Sequence, residues 1–120
     1  MDSVGNFGVF VGRVAKAPNF RDGGKQPVCY MTLIRTEYAG RDENEEAKER
    51  QVAIEFTAFG KTASNISSHV YVGDQIVVKY ALQSNSFEKE GETIYTTSFV
   101  ISGFEFGAPG KIKREELAQN

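Results

Sequence analysis

Between Gln51 and Phe59 apolar and polar residues alternate. Val52, Ile54, Phe56 and Ala58 share one parity; Gln51, Ala53, Glu55 and Thr57 share the other. A period of two predicts a β-strand with one buried face. Phe59 falls on the polar parity, which leaves a large ring on the outward side. Val28 to Tyr38 has the same period, with Cys29, Met31 and Leu33 opposed to Tyr30, Thr32 and Ile34. From Gln75 to Ser84 the pattern sets Ile76, Val78, Tyr80 and Leu82 inward, and Val77, Lys79, Ala81 and Gln83 outward. Thr93 to Ser102 forms another strand, with Tyr95, Phe99 and Ile101 on one parity. The first strand, Gly5 to Ala15, carries Phe7, Val9, Phe10, Val11 and Val14 on both parities, which predicts burial on two sides, by the core and by another subunit. Its Gly5, Gly8 and Gly12 mark a bulge, a bend or a close approach.

The connecting segments complete the pattern. Pro18 to Gln26 holds Asn19, Asp22, Gly23 and Gly24, the turn chemistry of a hairpin loop. Ala39 to Arg50 is polar and lacks apolar periodicity, so it is expected to be a loop, longer than hairpins need and therefore functional or mobile. Lys61 to Val72 is the one segment with helical spacing, through Ala63, Ile66 and Val70, and its weak formers predict a short helix. Gly73-Asp74 turns the chain, and Glu88 to Glu92 is a hairpin tip. Five strands with a short helix between the third and fourth predict an all-β chain, a five-stranded OB-fold barrel over residues 1–106. Such a barrel binds oligonucleotides or oligosaccharides on one face and between its hairpin loops. Residues 107–120 then form a short polar C-terminal tail. Phe104 and Phe106 are expected to close the barrel or to meet another subunit.

Composition narrows the function classes. A chain of 120 residues is long enough for one core without disulfide staples. The lone Cys29 lies in an apolar run and reads as a small buried hydrophobe. No secretory signal is visible at Met1 to Asn6, and no apolar run reaches 18 residues, so a cytoplasmic address without membrane contact is expected. The formal charge is −2, but Arg41 to Glu49 alone contains five carboxylates and two bases. Outside that segment eleven acids face twelve bases, so the body is balanced. Phosphate neutralisation alone would then bind nucleic acid weakly, and stacking would have to contribute. The acidic run lacks the glycine and alternating spacing of a calcium loop and reads as a solvated face.

No catalytic constellation can be assembled. His69 stands alone, with no Ser-His-Asp spacing and no phosphate-cradling glycine motif, so no enzyme, metal or cofactor is implied. The positive signal is aromatic. Phe59 and Phe87 both fall on outward parities, where each ring could stack on a base, and Tyr38 is a third candidate. Arg13, Arg35, Lys61 and Lys79 are the bases available for phosphates. The competing reading has Phe59 tucked under the helix, Phe87 closing its hairpin, and the bases as solubilising charges.

An ordered set of short runs then points to a family. Val11-Gly12-Arg13-Val14, Thr36-Glu37, Ala58-Phe59-Gly60-Lys61, Gly73-Asp74-Gln75-Ile76, Leu82-Gln83-Ser84 and Tyr95-Thr96-Thr97 resemble the bacterial single-stranded DNA-binding proteins over roughly Val9 to Ile101. The resemblance implies an OB fold, a homotetramer or homodimer, and sequence-tolerant binding of single-stranded DNA in replication, recombination or repair. It aligns Phe59 with the family's stacking Phe, and Phe87 with a position that commonly holds a stacking Trp. The chain departs from the family at Ala53, where a Trp is frequent, at Glu55, where a base is common, and near Tyr38, where a third Trp often stands. Its end, Lys113 to Asn120, lacks the acidic, apolar tip that recruits replication proteins, so recruitment through a tip is not expected. An OB protein of this length without such a tip also resembles the primosomal replication protein N group. Two readings result. One is a single-stranded DNA binder weaker than a typical family member; the other is an OB-fold interaction module of primosome type with weak or lost nucleic-acid binding.

Overall fold

The computed structural model describes residues 5–108 and 110. Of the short polar tail expected at 107–120, residues 109 and 111–120 lie outside them. The elements in chain order are β1 (Gly8–Val14), β2 (Asn19–Arg21), β3 (Val28–Arg41), β4 (Ala47–Phe59), α1 (Gly60–His69), β5 (Gln75–Lys89) and β6 (Glu92–Phe106). The strands follow one another in the order β1-β5-β6-β4-β3-β2, and a second pairing of β1 with β3 closes β1, β5, β6, β4 and β3 into a barrel. The all-β barrel with one short helix after its third long strand follows the sequence expectation. The addition is β2, three residues of the expected hairpin loop that pair with Val28 to Tyr30.

Alternation puts the core where it was predicted. Cys29, Met31 and Leu33 from β3, Phe56 and Ala58 from β4, and Ile76 and Val78 from β5 are all buried. Ala63, Ile66 and Val70 cap one end of the barrel from α1 and the residue after it. Phe56 is the centre of an aromatic cluster, with ring centroids 5.6 Å from Phe10, 5.4 Å from Tyr80 and 6.0 Å from Phe99. Each such pair adds about 0.5–1.5 kcal/mol beyond area burial. Burial also pushes the Cys29 thiol up in pKa, which keeps it a protonated, unreactive core group.

Two of the first strand's glycines are close approaches. A Cβ on Gly8 would meet the Tyr80 ring at 2.5 Å, and one on Gly12 would meet the Ile34 carbonyl oxygen at 2.7 Å. Gly12 therefore lets β1 pass tightly against β3 where the barrel closes through Arg13↔Ile34 and Val14↔Leu33. The buried Asp74 locks the same end of β1. Its Oδ1 accepts from the Gly110 N–H and its Oδ2 from the Tyr71 N–H, while its carbonyl accepts from the Val14 N–H.

The second expected loop is overturned. Ala39 to Arg50 is mostly strand: β3 runs on to Arg41, β4 begins at Ala47, and only Asp42 to Glu46 turns. Asp42 Oδ1 accepts from the Asn44 and Glu46 N–H groups, both at 2.9 Å, and Arg41 donates to the Glu45 carbonyl. Periodicity did not reveal this stretch because it buries nothing; the hairpin is held by backbone pairing and a turn closed by one carboxylate. The expected hairpin at the other end is tighter than read. β5 and β6 pair out to Lys89↔Glu92 around a two-residue turn, Glu90-Gly91, with both φ angles positive as in type I′. At about 3.3 Å per residue, the 15 residues of β5 span about 50 Å, far beyond the barrel. Leu82, expected inward, is therefore exposed: its parity faces the core side, but at its level the barrel has ended.

The core side of the first strand is buried as expected, through Val14 and Phe10; the side expected to meet another subunit faces outward on this chain. Phe7 and Val9 are exposed, and with Val11, Val77 and Gly103 they form an apolar outer face across β1, β5 and β6. A groove of about 430 Å³ runs along it, with Lys79 and Glu105 in its lining.

Candidate nucleic-acid interface

Strand register decides which outward residues share a surface. In β3 and β4 the pairs Tyr30↔Thr57, Thr32↔Glu55 and Ile34↔Ala53 lie on the side opposite the core. On β2, Asn19 pairs with Tyr30 and Arg21 with Val28, whose other neighbour is Phe59. Continuing through β6 and β5, Thr57 aligns with Val100, and Val100 with Ala81. The same parity leads out along the arm through Gln83 and Asn85 to Phe87, opposite Ile94. Phe59 and Phe87 thus belong to one face of one sheet.

They do not meet on it. Phe59 lies three residues beyond Phe56 and Ile94 five residues before Phe99, so eight residue levels, about 26 Å along the strands, separate the two rings. Phe59 is 37% exposed and Phe87 49%. Phe59 is thus neither sealed beneath α1 nor loose. The N–H of the following Gly60 donates to the Pro27 carbonyl at 2.9 Å, which ties the strand-to-helix corner to the β2–β3 connection and fixes the ring at the barrel rim. Gly60 sits at φ +63°, a left-handed turn that glycine adopts without strain. Tyr38 also shares this parity, on the β3–β4 arm opposite Glu49, and is 65% exposed.

The predicted bases fare differently. Lys61 is exposed in the first turn of α1, two residues from Phe59. Arg13 is on the outward side but donates to the Gly73 carbonyl at 2.9 Å. Arg35 has the opposite parity from the rings. It donates to the Val11 carbonyl at 3.2 Å and pairs with Glu37, which Arg50 also engages. Lys79 is on the β1–β5–β6 side of the barrel, 5.0 Å above the Phe7 ring. The structure therefore groups Lys61 with Phe59, and sets Arg35 and Lys79 apart from it.

Sequence reasoning missed Tyr30, Arg21 and Lys16. Tyr30 is 37% exposed and lines a shallow cleft of about 180 Å³ with Lys16, Asn19, Thr32 and Glu55. The signal was available for Tyr30, whose outward parity was read; what could not be read was that its antiparallel partner is Thr57, two residues from Phe59. Arg21 came to light only with β2, a strand too short to show periodicity. Together, Arg21, Tyr30, Phe59 and Lys61 form a ring-and-cation patch at one end of the face, while Tyr38 and Phe87 are carried on the two arms.

Comparison with known proteins agrees with this architecture. Residues 6–107 match the family model described as "Single-strand binding protein family". The chain is 27% identical over 112 residues to a single-stranded DNA-binding protein of Staphylococcus epidermidis, covering 93% of this chain and 83% of that one. It is 31% identical over 101 residues to one of Clostridium perfringens, covering 82% of this chain and 63% of that one. Among solved structures, a small single-stranded DNA-binding protein from Streptomyces coelicolor superposes with a TM-score of 0.63 at 22% identity, over 89% of this chain and 96% of that one. The SSB of Plasmodium falciparum, solved in complex with ssDNA, gives 0.69 at 19% identity, over 89% and 97%. These two likenesses concern the fold; the match along residues 6–107 goes further, and by it the chain belongs to the single-strand binding protein family.

Proposed function

We propose that this protein is a non-enzymatic OB-fold binder of single-stranded DNA, acting in replication, recombination or repair. The observation that carries the reading is a sheet face bearing exposed rings, in a chain whose residues 6–107 match the single-strand binding family. Phe59 and Tyr30 at the barrel rim, and Phe87 and Tyr38 on the arms, are the stacking surfaces. Each stacked base contributes roughly 1–3 kcal/mol and every base has a face to stack. Lys61 and Arg21 meet phosphates beside Phe59; Arg13, Arg35 and Lys79 contribute only where their present partners release them. The distance between Phe59 and Phe87 suits rings that engage separate bases along one strand. Residues 1–106 act as the binding domain.

The apolar outer face of β1, β5 and β6 supports a homo-oligomer, because a monomer that exposes Phe7 and Val9 beside an apolar groove carries surface suited to a second copy. The address is cytoplasmic; none of the described helices is long and apolar enough to cross a membrane.

Titration of labelled oligo-dT at two salt concentrations, with the protein's mass measured by light scattering, tests the reading. Binding that weakens as salt rises is expected, because phosphate contacts release counterions, together with a mass above that of one chain. Absence of binding at low salt would overturn the reading in favour of an interaction module. A monomeric mass would remove the oligomer.

A further inference from the structure

The cleft on the outer face of β2, β3 and β4 contains a feature that stacking and phosphate contact do not explain. Glu55 stands on the ring-bearing face, opposite Thr32 and diagonal to Tyr30, where a carboxylate repels phosphates. It makes no hydrogen bond or ion pair among the described residues, and neither do Lys16 and the Tyr30 hydroxyl. The cleft thus brings together an exposed aromatic platform, a carboxylate acceptor, a lysine, and the side chains of Asn19 and Thr32, all without side-chain partners among the described residues.

We propose that this cleft receives one unstacked base on Tyr30, that Glu55 reads its edge, and that binding is thereby biased against thymine. The proposal rests on the single-stranded DNA reading above. An ionised carboxylate only accepts hydrogen bonds. Cytosine offers it the N4 amino group and adenine the N6 amino group, and guanine offers an amino group beside a ring N–H. Thymine offers a single N–H flanked by two carbonyl oxygens, which a carboxylate repels. Lys16, which lines the same cleft, is available for the phosphate of the same nucleotide and offsets the repulsion between Glu55 and the backbone. A carboxylate acting only as a surface charge would weaken binding to every base alike.

The test compares oligo-dC and oligo-dT of equal length at matched salt, for the parent, Glu55→Gln and Tyr30→Ala, with circular dichroism to confirm that the variants fold. The parent is expected to favour oligo-dC by about three- to tenfold, within the discrimination one polar base contact supplies. Glu55→Gln replaces an obligate acceptor with a group that both donates and accepts, so it should raise oligo-dT affinity and bring the ratio close to one. Tyr30→Ala should weaken both oligonucleotides by about tenfold, the loss of one stacked base. An unchanged ratio in Glu55→Gln, with binding retained, would overturn this inference and leave the stacking reading intact. Failure of the parent to bind either oligonucleotide would overturn both.

Discussion

β4 divides its thirteen residues between two environments, and the difference shows how this molecule separates stability from recognition. At its C-terminal end, in the barrel, Phe56 and Ala58 are fully buried, and Phe56 contacts three other rings. At its N-terminal end, Ala47 to Gln51 are all exposed, paired only with the end of β3, where no residue is buried. The β5–β6 arm repeats the contrast: Ile76 and Val78 are buried, whereas every residue from Leu82 to Lys89 is exposed. The barrel is held by burial of apolar surface. The arms are held by backbone pairing and tight turns, which leaves their side chains, Tyr38 and Phe87 among them, available to a ligand.

The largest expected effect probes the barrel. Phe56→Ala should lower the free energy of unfolding by about 3–5 kcal/mol, the range for a large aromatic removed from a close-packed core, measured by urea titration. A loss under 1 kcal/mol would mean that Phe56 is not the centre of the core. Phe87→Ala should do the reverse. It should leave stability within about 0.5 kcal/mol of the parent, as for an exposed site without special contacts, while weakening oligonucleotide binding by about 1–3 kcal/mol. Equal binding by parent and variant would remove Phe87 from the interface. The smallest effect concerns the arm alone. Gly91 sits at φ +82°, so Gly91→Ala should destabilise the Glu90-Gly91 turn by about 1 kcal/mol. Amide exchange should then quicken between Ser84 and Thr97 and stay unchanged at Met31 and Leu33. Equal acceleration in both places would show that arm and barrel open as one unit, contrary to the comparison.

Electrostatics follow the same division. The Arg35–Glu37–Arg50 cluster lies on the β3–β4 arm, with Glu37 held between two guanidiniums. Exposed pairs of this kind contribute roughly 0–1 kcal/mol, so they orient the arm more than they stabilise it. Their orientation has a cost for the binding inventory, since it occupies one of the bases that the sequence made available for phosphate. Arg21, Lys16 and Lys61, which have no such partners among the described residues, are the cations left beside the rim.

Much of the barrel was legible because alternation is visible wherever one face is buried. The inward sets of β3, β4 and the first half of β5 could be read residue by residue, and Ala63, Ile66 and Val70 announced the buried side of α1. The arms were not legible in the same way. Ala39 to Arg50 looked like a loop because a strand that buries neither face shows no apolar period, and Leu82 kept its parity after its core had ended. Phe59 and Phe87 were found from parity within their own strands. Tyr30 had the same outward parity but no reason to be chosen until antiparallel register set it beside Thr57 and within reach of Glu55.

By itself, then, the sequence determined the strand periods, the short helix, the aromatic core and the outward parity of its rings, because each depends on residues one to four positions apart. The tertiary structure decided which of those outward residues share a surface. Register between strands far apart in sequence put Phe59 and Phe87 on one face yet about 26 Å apart along it, and opened a cleft around Glu55. Those relations are set by which backbone groups pair across strands, and no local pattern of side chains encodes that pairing.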